Sequence, residues 1–462
     1  MATKLTRRQV ISGATLAAVA GTAAKFGGLL PALADVTINP DKDAQRDTLV
    51  VLFLRGGADG LNVVVPYADD DYHKARPTLA LATPNSLTQP TAARVLALDD
   101  YFGLHPALKP LHSLYHEGKM AVVQAVGSGD QTRSHFEAMS TMERGLAQEA
   151  GLASGWLARH LSSTAKDVES PLRAVAIDDT MPDSLRGATN ATALRNLSTY
   201  RLTAHDISAP GKDVYHAKEP REAAFASTLD ALYKGTGNRI IHSPTTQRPN
   251  DPMTQSPSLV QQAGQETLAA LEAINRLDPA NYRPAAGANY PVDIIGDGFR
   301  QAACLIKGNL GVEVVSLDML GWDTHYGQGR DSGLQPNLLR LLGEALGAFV
   351  TDLGKQFENT TIVVMTEFGR RVGENYSLGT DHGRASFMWL LGGGVKGGKV
   401  YARWPGLSKQ KRQLEDDGDL RVTTDYRDVL SEIVTKRLNN AKVAEVFPNY
   451  TPKAHGIFKP MT

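Results

Sequence analysis

The stretch MTEFGRRVGENYSLGTDHGRAS, Met365 to Ser386, sets three acids, three arginines and a histidine among glycines. A packed core has no use for that mixture. Three further polar clusters accompany it: RGGADG with Asp59, TRSHFEAM with Ser134, and GWDTH with Asp323 and His325. Asp59, Asp323, His325, Glu367 and His382 are carboxylate and imidazole donors suited to a divalent metal ion. Zinc comes first, with manganese, iron and calcium as the other candidates. Ser134 stands where a helix begins, so its hydroxyl has backbone N–H groups and a positive dipole end beside it, an arrangement that favours anions. Arg133 beside it and Arg370 are the candidate anion clamp.

Taken singly, each cluster has an ordinary reading. Asp59 in a Gly-Ala-Asp-Gly run suits a turn. Ser134 suits an N-cap, with Glu137 three residues later completing a capping box. Asp323 and His325 suit a surface turn. What raises them together is their placement after apolar strands.

Val50–Leu54 is a continuous apolar run rich in β-branched residues, the pattern of a strand covered on both faces. MAVVQAVG (120–127), GVEVVSLDML (311–320) and NTTIVVMTEFG (359–369) repeat it. Helical spacing alternates with these runs, in LHPALKPLHSLYHEGKM, in a helix from about Ser134, in 335–356 and in DYRDVLSEIVTKRL. Strand, helix, strand, helix predicts an α/β fold, a mostly parallel sheet sandwiched by helices. Ligands of such sheets bind at the carboxyl edge of the strands, where all four clusters fall. From about 191 to 290 the chain turns polar around a helical run, Leu259–Leu277, and reads as a partly helical cap insertion.

The chain has 462 residues, 42% apolar and 21% charged, with 49 basic and 49 acidic side chains. That balance points to neither nucleic acid nor an anionic membrane as partner. The single cysteine, Cys304, rules out an intramolecular disulfide and a cysteine-based zinc knuckle, and in QAACLIKG it reads as a buried core thiol. TRRQVI places paired arginines before a weakly apolar Ala/Gly run that ends in PALAD. Residues 1–34 are therefore expected to be a twin-arginine signal cut after Ala34, with 35–462 as one periplasmic or secreted domain without a stable membrane anchor.

The motifs FLRGGADGLNVVVPY, RSHFEAM, GWDTH, TEFGR, GTDHGRA and GGGVKGGKVY, in this order, resemble those of the DUF1501 family of exported bacterial proteins. That family is placed in the alkaline phosphatase and sulfatase superfamily. The resemblance implies an alkaline-phosphatase-like sheet between helical layers and a dimetal site that cleaves phosphate or sulfate esters. On it, Asp59 resembles the metal-bridging Asp after the first strand, and Ser134 stands at the nucleophile's place. Asp323 with His325 resembles the Asp/His pair of one metal site, and His382 the late histidine ligand. Glu367 falls where the superfamily more often has Asp followed by His; here Phe368 follows, which removes one imidazole.

Two functions follow as expectations. One is an exported metal-dependent hydrolase of small anionic phosphate or sulfate esters, with Ser134 and Arg133 catalytic. The other is a binding or assembly protein with a degenerate site, which the missing imidazole favours. Sulfatase chemistry through a formylglycine is not expected, because no Cys/Ser-x-Pro-x-Arg motif surrounds Ser134.

Overall fold

A computed structural model of the protein describes residues 47–147, 151–164, 170, 172–199, 259–416 and 418–460. They all fall in one compact unit, Ile38–Thr462. Nine strands form the main sheet: β1 (Thr48–Leu54), β2 (Met120–Gly127), β3 (Ala174–Ala176), β4 (Ala191–Ala193), β5 (Val314–Met319), β6 (Thr360–Thr366), β7 (Ser386–Leu391), β8 (Lys399–Tyr401) and β9 (Thr424–Asp425). Their order is β8-β2-β7-β6-β1-β5-β3-β4, with β9 also beside β2. Every pairing is parallel except the two made by β7. This is the α/β, mostly parallel sandwich that the alternating runs predict.

The helices of eight residues or more are α1 (Lys109–His116), α2 (His135–Glu143), α3 (Trp156–Ser163), α4 (Leu259–Leu277), α5 (Ile294–Lys307), α6 (Leu334–Leu353) and α7 (Tyr426–Lys436). Alternation along β1 assigns them to layers, because successive side chains of a strand point to opposite faces. Val50, Leu52 and Leu54 pack with residues of α1, α5 and α6, among them Leu111, Phe299 and Phe349. Leu49, Val51 and Phe53 pack with residues of α3 and α7, among them Trp156, Leu161 and Ile433. Both faces are thus covered, which is why β1 carries no polar residue after Thr48. Each fully buried Val or Leu there contributes roughly 1.5–3 kcal/mol.

Of the expected insertion, residues 200–258 lie outside the described residues, as does the expected leader, 1–34. The described ends of the insertion join the main body. β4 is the sheet edge, and Ala270, Ala273 and Ile274 of α4 pack with Leu172, Val175 and the buried Cys304. No helix among the described residues is long and apolar enough to cross a membrane.

The reversal of β7 matters for the site. β1, β5 and β6 end at one edge of the sheet, and the chain entering β7 arrives at that same edge. Asp381 and His382 therefore meet residues that follow the other strands.

Candidate metal centre

Strand ends bring His135, Asp323, His325 and His382 together. His135 opens α2 after β2, Asp323 and His325 follow β5, and His382 precedes β7. The Oδ1 atom of Asp323 is the hub, 3.0 Å from His325 Nε2, 3.1 Å from His382 Nε2 and 3.4 Å from His135 Nε2. His325 Nε2 and His382 Nε2 are 2.8 Å apart.

Hydrogen bonds on the far side of each ring decide what these nitrogens can do. His382 Nδ1 lies 2.8 Å from the Arg133 carbonyl, which only accepts, so Nδ1 carries the proton and Nε2 a lone pair. His325 Nδ1 donates to Asp381 Oδ1 at 2.9 Å, and His135 Nδ1 donates to Glu367 Oε1 at 2.7 Å. In the neutral rings every Nε2 is then an acceptor turned toward an ionised carboxylate. His135 Nε2 is buried and has no hydrogen-bond partner. These acceptors converge on a carboxylate oxygen that also takes a hydrogen bond from Arg370, and a carboxylate or carbonyl behind each imidazole is the usual support of a metal-ligating histidine. The residues present fit a divalent ion.

The electrostatics point two ways, because a raised His135 favours the imidazolium, which has no lone pair for an ion. Burial raises the Asp323 carboxyl, but the hydrogen bond and positive charge of Arg370 outweigh it and hold the group down to about 2. Asp381 is lowered by hydrogen bonds from Asn375 and His325. Burial lowers the His382 imidazole against the pull of the Arg133 carbonyl. The hydrogen bond to Glu367 raises His135.

Asp323 and His325 are 48% and 41% exposed, and His325 and His382 line an open cleft of about 530 Å³ with Arg133, Arg371, Asp381 and Asp416. The cluster is therefore reachable from solvent.

Glycines permit the crowding. Gly56, at φ +122°, lets the turn after β1 pass the loop after β5: a Cβ there would sit 2.5 Å from the Asp323 amide nitrogen. Gly379 has the same function against His325, whose carbonyl carbon would be 2.4 Å from an added Cβ.

Several expected residues stand elsewhere. Asp59 is wholly buried and is not in the cluster. Arg76 binds it bidentately at 2.5 and 2.9 Å, and Gln328 Nε2 donates to it at 2.6 Å. Gln328 Oε1 in turn accepts from Thr324 and Thr380, so Asp59 braces both loops of the centre from below. Glu367 is also buried and faces His135, the Gly56 amide and the Thr366 hydroxyl, one shell behind the cluster.

The expected anion clamp is committed to other partners. Arg133 pairs with Asp416 at 2.6 Å and with Asp419. Arg370 has no exposed side-chain surface. It donates to Asp323 and to the carbonyls of Gly56, Gly57, Trp322 and Thr380. Ser134 is the N-cap residue of α2, but its side chain makes no capping hydrogen bond, so the expected capping box does not form.

His135 is the functional residue the motif reading passes over, because Ser134 beside it draws the attention. It supplies the imidazole that Phe368 removes from the chain after Glu367. Phe368 stacks on His135 at 4.8 Å between centroids and tilts against His382 at 4.9 Å. Glu367 thus stands behind His135, and the Phe368 ring lies against both His135 and His382.

The family model DUF1501, described as a protein of unknown function, matches residues 46–433. No curated protein matches the sequence. Among solved structures, the PH0037 protein from Pyrococcus horikoshii aligns at 12% identity and TM-score 0.27, over 75% of this chain and 86% of its own. A putative sulfatase from Bacteroides thetaiotaomicron aligns at 9% identity and TM-score 0.30, over 89% and 76%. BT1596, a 2-O GAG sulfatase, aligns at 9% identity and TM-score 0.25, over 77% and 66%. Likenesses at such scores carry no argument about the chemistry of this chain.

Proposed function

The chain belongs to the DUF1501 family, and we propose that it is a metal-dependent hydrolase of phosphate or sulfate esters. The observation that carries this reading is the convergence of two supported imidazoles, His135 and His382, on the Asp323 carboxylate, with His325 beside them lining an open cleft. The ester class rests on the motif resemblance, and export rests on the leader, residues 1–34.

His135, Asp323, His325 and His382 would hold the ion. Bound there, a divalent ion supplies Lewis acidity, which polarises an ester and strengthens a hydroxyl nucleophile near neutral pH. Glu367, Asp381 and the Arg133 carbonyl fix the three imidazole tautomers, so no ligand must reorient as charge develops. Ser134, whose hydroxyl is free of capping duty, is the candidate nucleophile beside His135. Arg371, 46% exposed and only 3.5 Å from Asp419, is the cation left at the rim for an anionic substrate.

One observation favours the rival reading of a binding protein. The expected anion clamp, Arg133 and Arg370, is committed to protein carboxylates and carbonyls. Metal analysis by plasma mass spectrometry on tag-free protein, followed by a screen of aryl phosphate and sulfate esters, separates the two. Bound metal with turnover lost in Asp323→Ala supports the hydrolase. Bound metal without turnover on either ester class moves the reading to a binding protein.

A further inference from the structure

We propose that this centre takes one metal ion, not the pair that the family resemblance implies, and that Arg370 is its built-in second cation. The inference rests on the reading of the cluster as a metal centre, and it names its stoichiometry.

A second ion needs carboxylates of its own, and apart from Asp381, which holds His325, those near the strand ends are already engaged by buried partners. Asp59 is bound on both oxygens by Arg76, with neither side chain exposed. Asp318, at the end of β5, takes Arg55 Nε at 2.5 Å, and the same guanidinium holds Glu143 at 3.1 Å. Glu367 is occupied by His135, the Gly56 amide and the Thr366 hydroxyl. Among the described residues, the one group of three or more His, Cys, Asp or Glu donors within reach of a common ion contains His135, Asp323 and His382.

Arg370 fills what is left. Its Nη2 donates to Asp323 Oδ1 at 2.6 Å. Carbonyls of Gly57 at 2.6 Å, Thr380 at 3.0 Å and Trp322 at 3.1 Å, with that of Gly56, hold the guanidinium on its other sides. A fully buried guanidinium held at so many points does not swing away. It is a permanent positive charge on the carboxylate that also faces the three imidazoles. A second metal ion on that oxygen would have to displace it and leave an arginine buried without its counter-charge, which is strongly unfavourable.

Native mass spectrometry of the full chain loaded with Zn²⁺ tests this, beside His135→Ala, His325→Ala and Asp59→Asn variants checked for folding by circular dichroism. The expected result is about one ion per chain, lost in both histidine variants and retained in Asp59→Asn. Two ions per chain, or loss of the ion in Asp59→Asn, overturns the one-ion centre while leaving the hydrolase reading intact. No bound ion overturns both. Should Asp59→Asn not fold, the count on the unsubstituted chain decides alone. Visible absorption of the Co²⁺-loaded protein gives a second readout: one ligand-field spectrum that saturates at one equivalent is expected, and a second phase on further addition contradicts it.

Discussion

Glu367 and His135 lie 232 residues apart in the chain, yet the carboxylate accepts the imidazole proton at 2.7 Å and turns Nε2 toward Asp323. This pair ties the end of β6 to the start of α2 and sets the protonation state of the ligand nearest the helix.

Glu367→Gln keeps the shape of the side chain and weakens its pull on the imidazole proton. Loss of such an outer partner typically lowers metal affinity 10–100-fold. Competition with a chelator should show that loss with an unchanged melting temperature for the metal-free protein. An unchanged affinity would remove Glu367 from the centre.

Ser134→Ala is expected to abolish ester turnover and leave ion content at the unsubstituted level, since the hydroxyl caps nothing in α2. Substantial residual turnover would transfer the nucleophilic role to water and leave Ser134 a bystander.

Arg76→Met leaves Asp59 buried and without its counter-charge. Breaking a buried pair from one side costs about 3–5 kcal/mol. Chemical denaturation should place Arg76→Met below the unsubstituted chain by that amount. Equal stabilities would mean that the ion pair is not what Asp59 contributes.

Gly56→Ala adds a methyl 2.5 Å from the Asp323 amide nitrogen, at a φ of +122°. Strain of both kinds predicts destabilisation by more than about 1 kcal/mol, together with weaker ion binding. Thermal unfolding read beside ion content tests it: a loss of stability with intact binding would show that the loop after β5 moves without disturbing its ligands.

His105 gives a pH signature away from the centre. Burial lowers its imidazole to about 4, while Nε2 donates to the Arg330 carbonyl at 2.7 Å and Nδ1 accepts from the Ala107 amide at 3.1 Å. The folded value lies below the unfolded one of about 6.5. The neutral ring's contribution is therefore fully present above that pH and is lost as pH falls toward 4. The loss amounts to about 3 kcal/mol. His105→Asn, which keeps a capping acceptor, should flatten unfolding free energy against pH across that window. An unchanged slope would assign the acid sensitivity to other groups.

The sheet was legible because its central strands are buried on both faces and write themselves as mostly apolar runs, unbroken in β1 after Thr48 and interrupted by few polar residues in β2, β5 and β6. The positions of Asp323, His325 and His382 followed from the rule that such sheets bind ligands at strand ends. Asp59 misled because its counter-ion, Arg76, sits in a stretch with no motif, and pairing across space leaves no mark on local sequence. Arg370 misled for the same reason: an arginine among glycines looks available until the carbonyls around it are known. His135 was hidden by its neighbour, and only the tautomer forced by Glu367 makes it a ligand.

The ligands enter from three separate stretches of chain, and even His325 and His382 stand 57 residues apart. No local segment carries enough of them to capture an ion early, and closing such long loops precedes any reward from the contacts they make. On the proposed metal reading, an ion would then load onto a chain already folded, and a chelator present during refolding should leave the recovery of secondary structure at its normal rate.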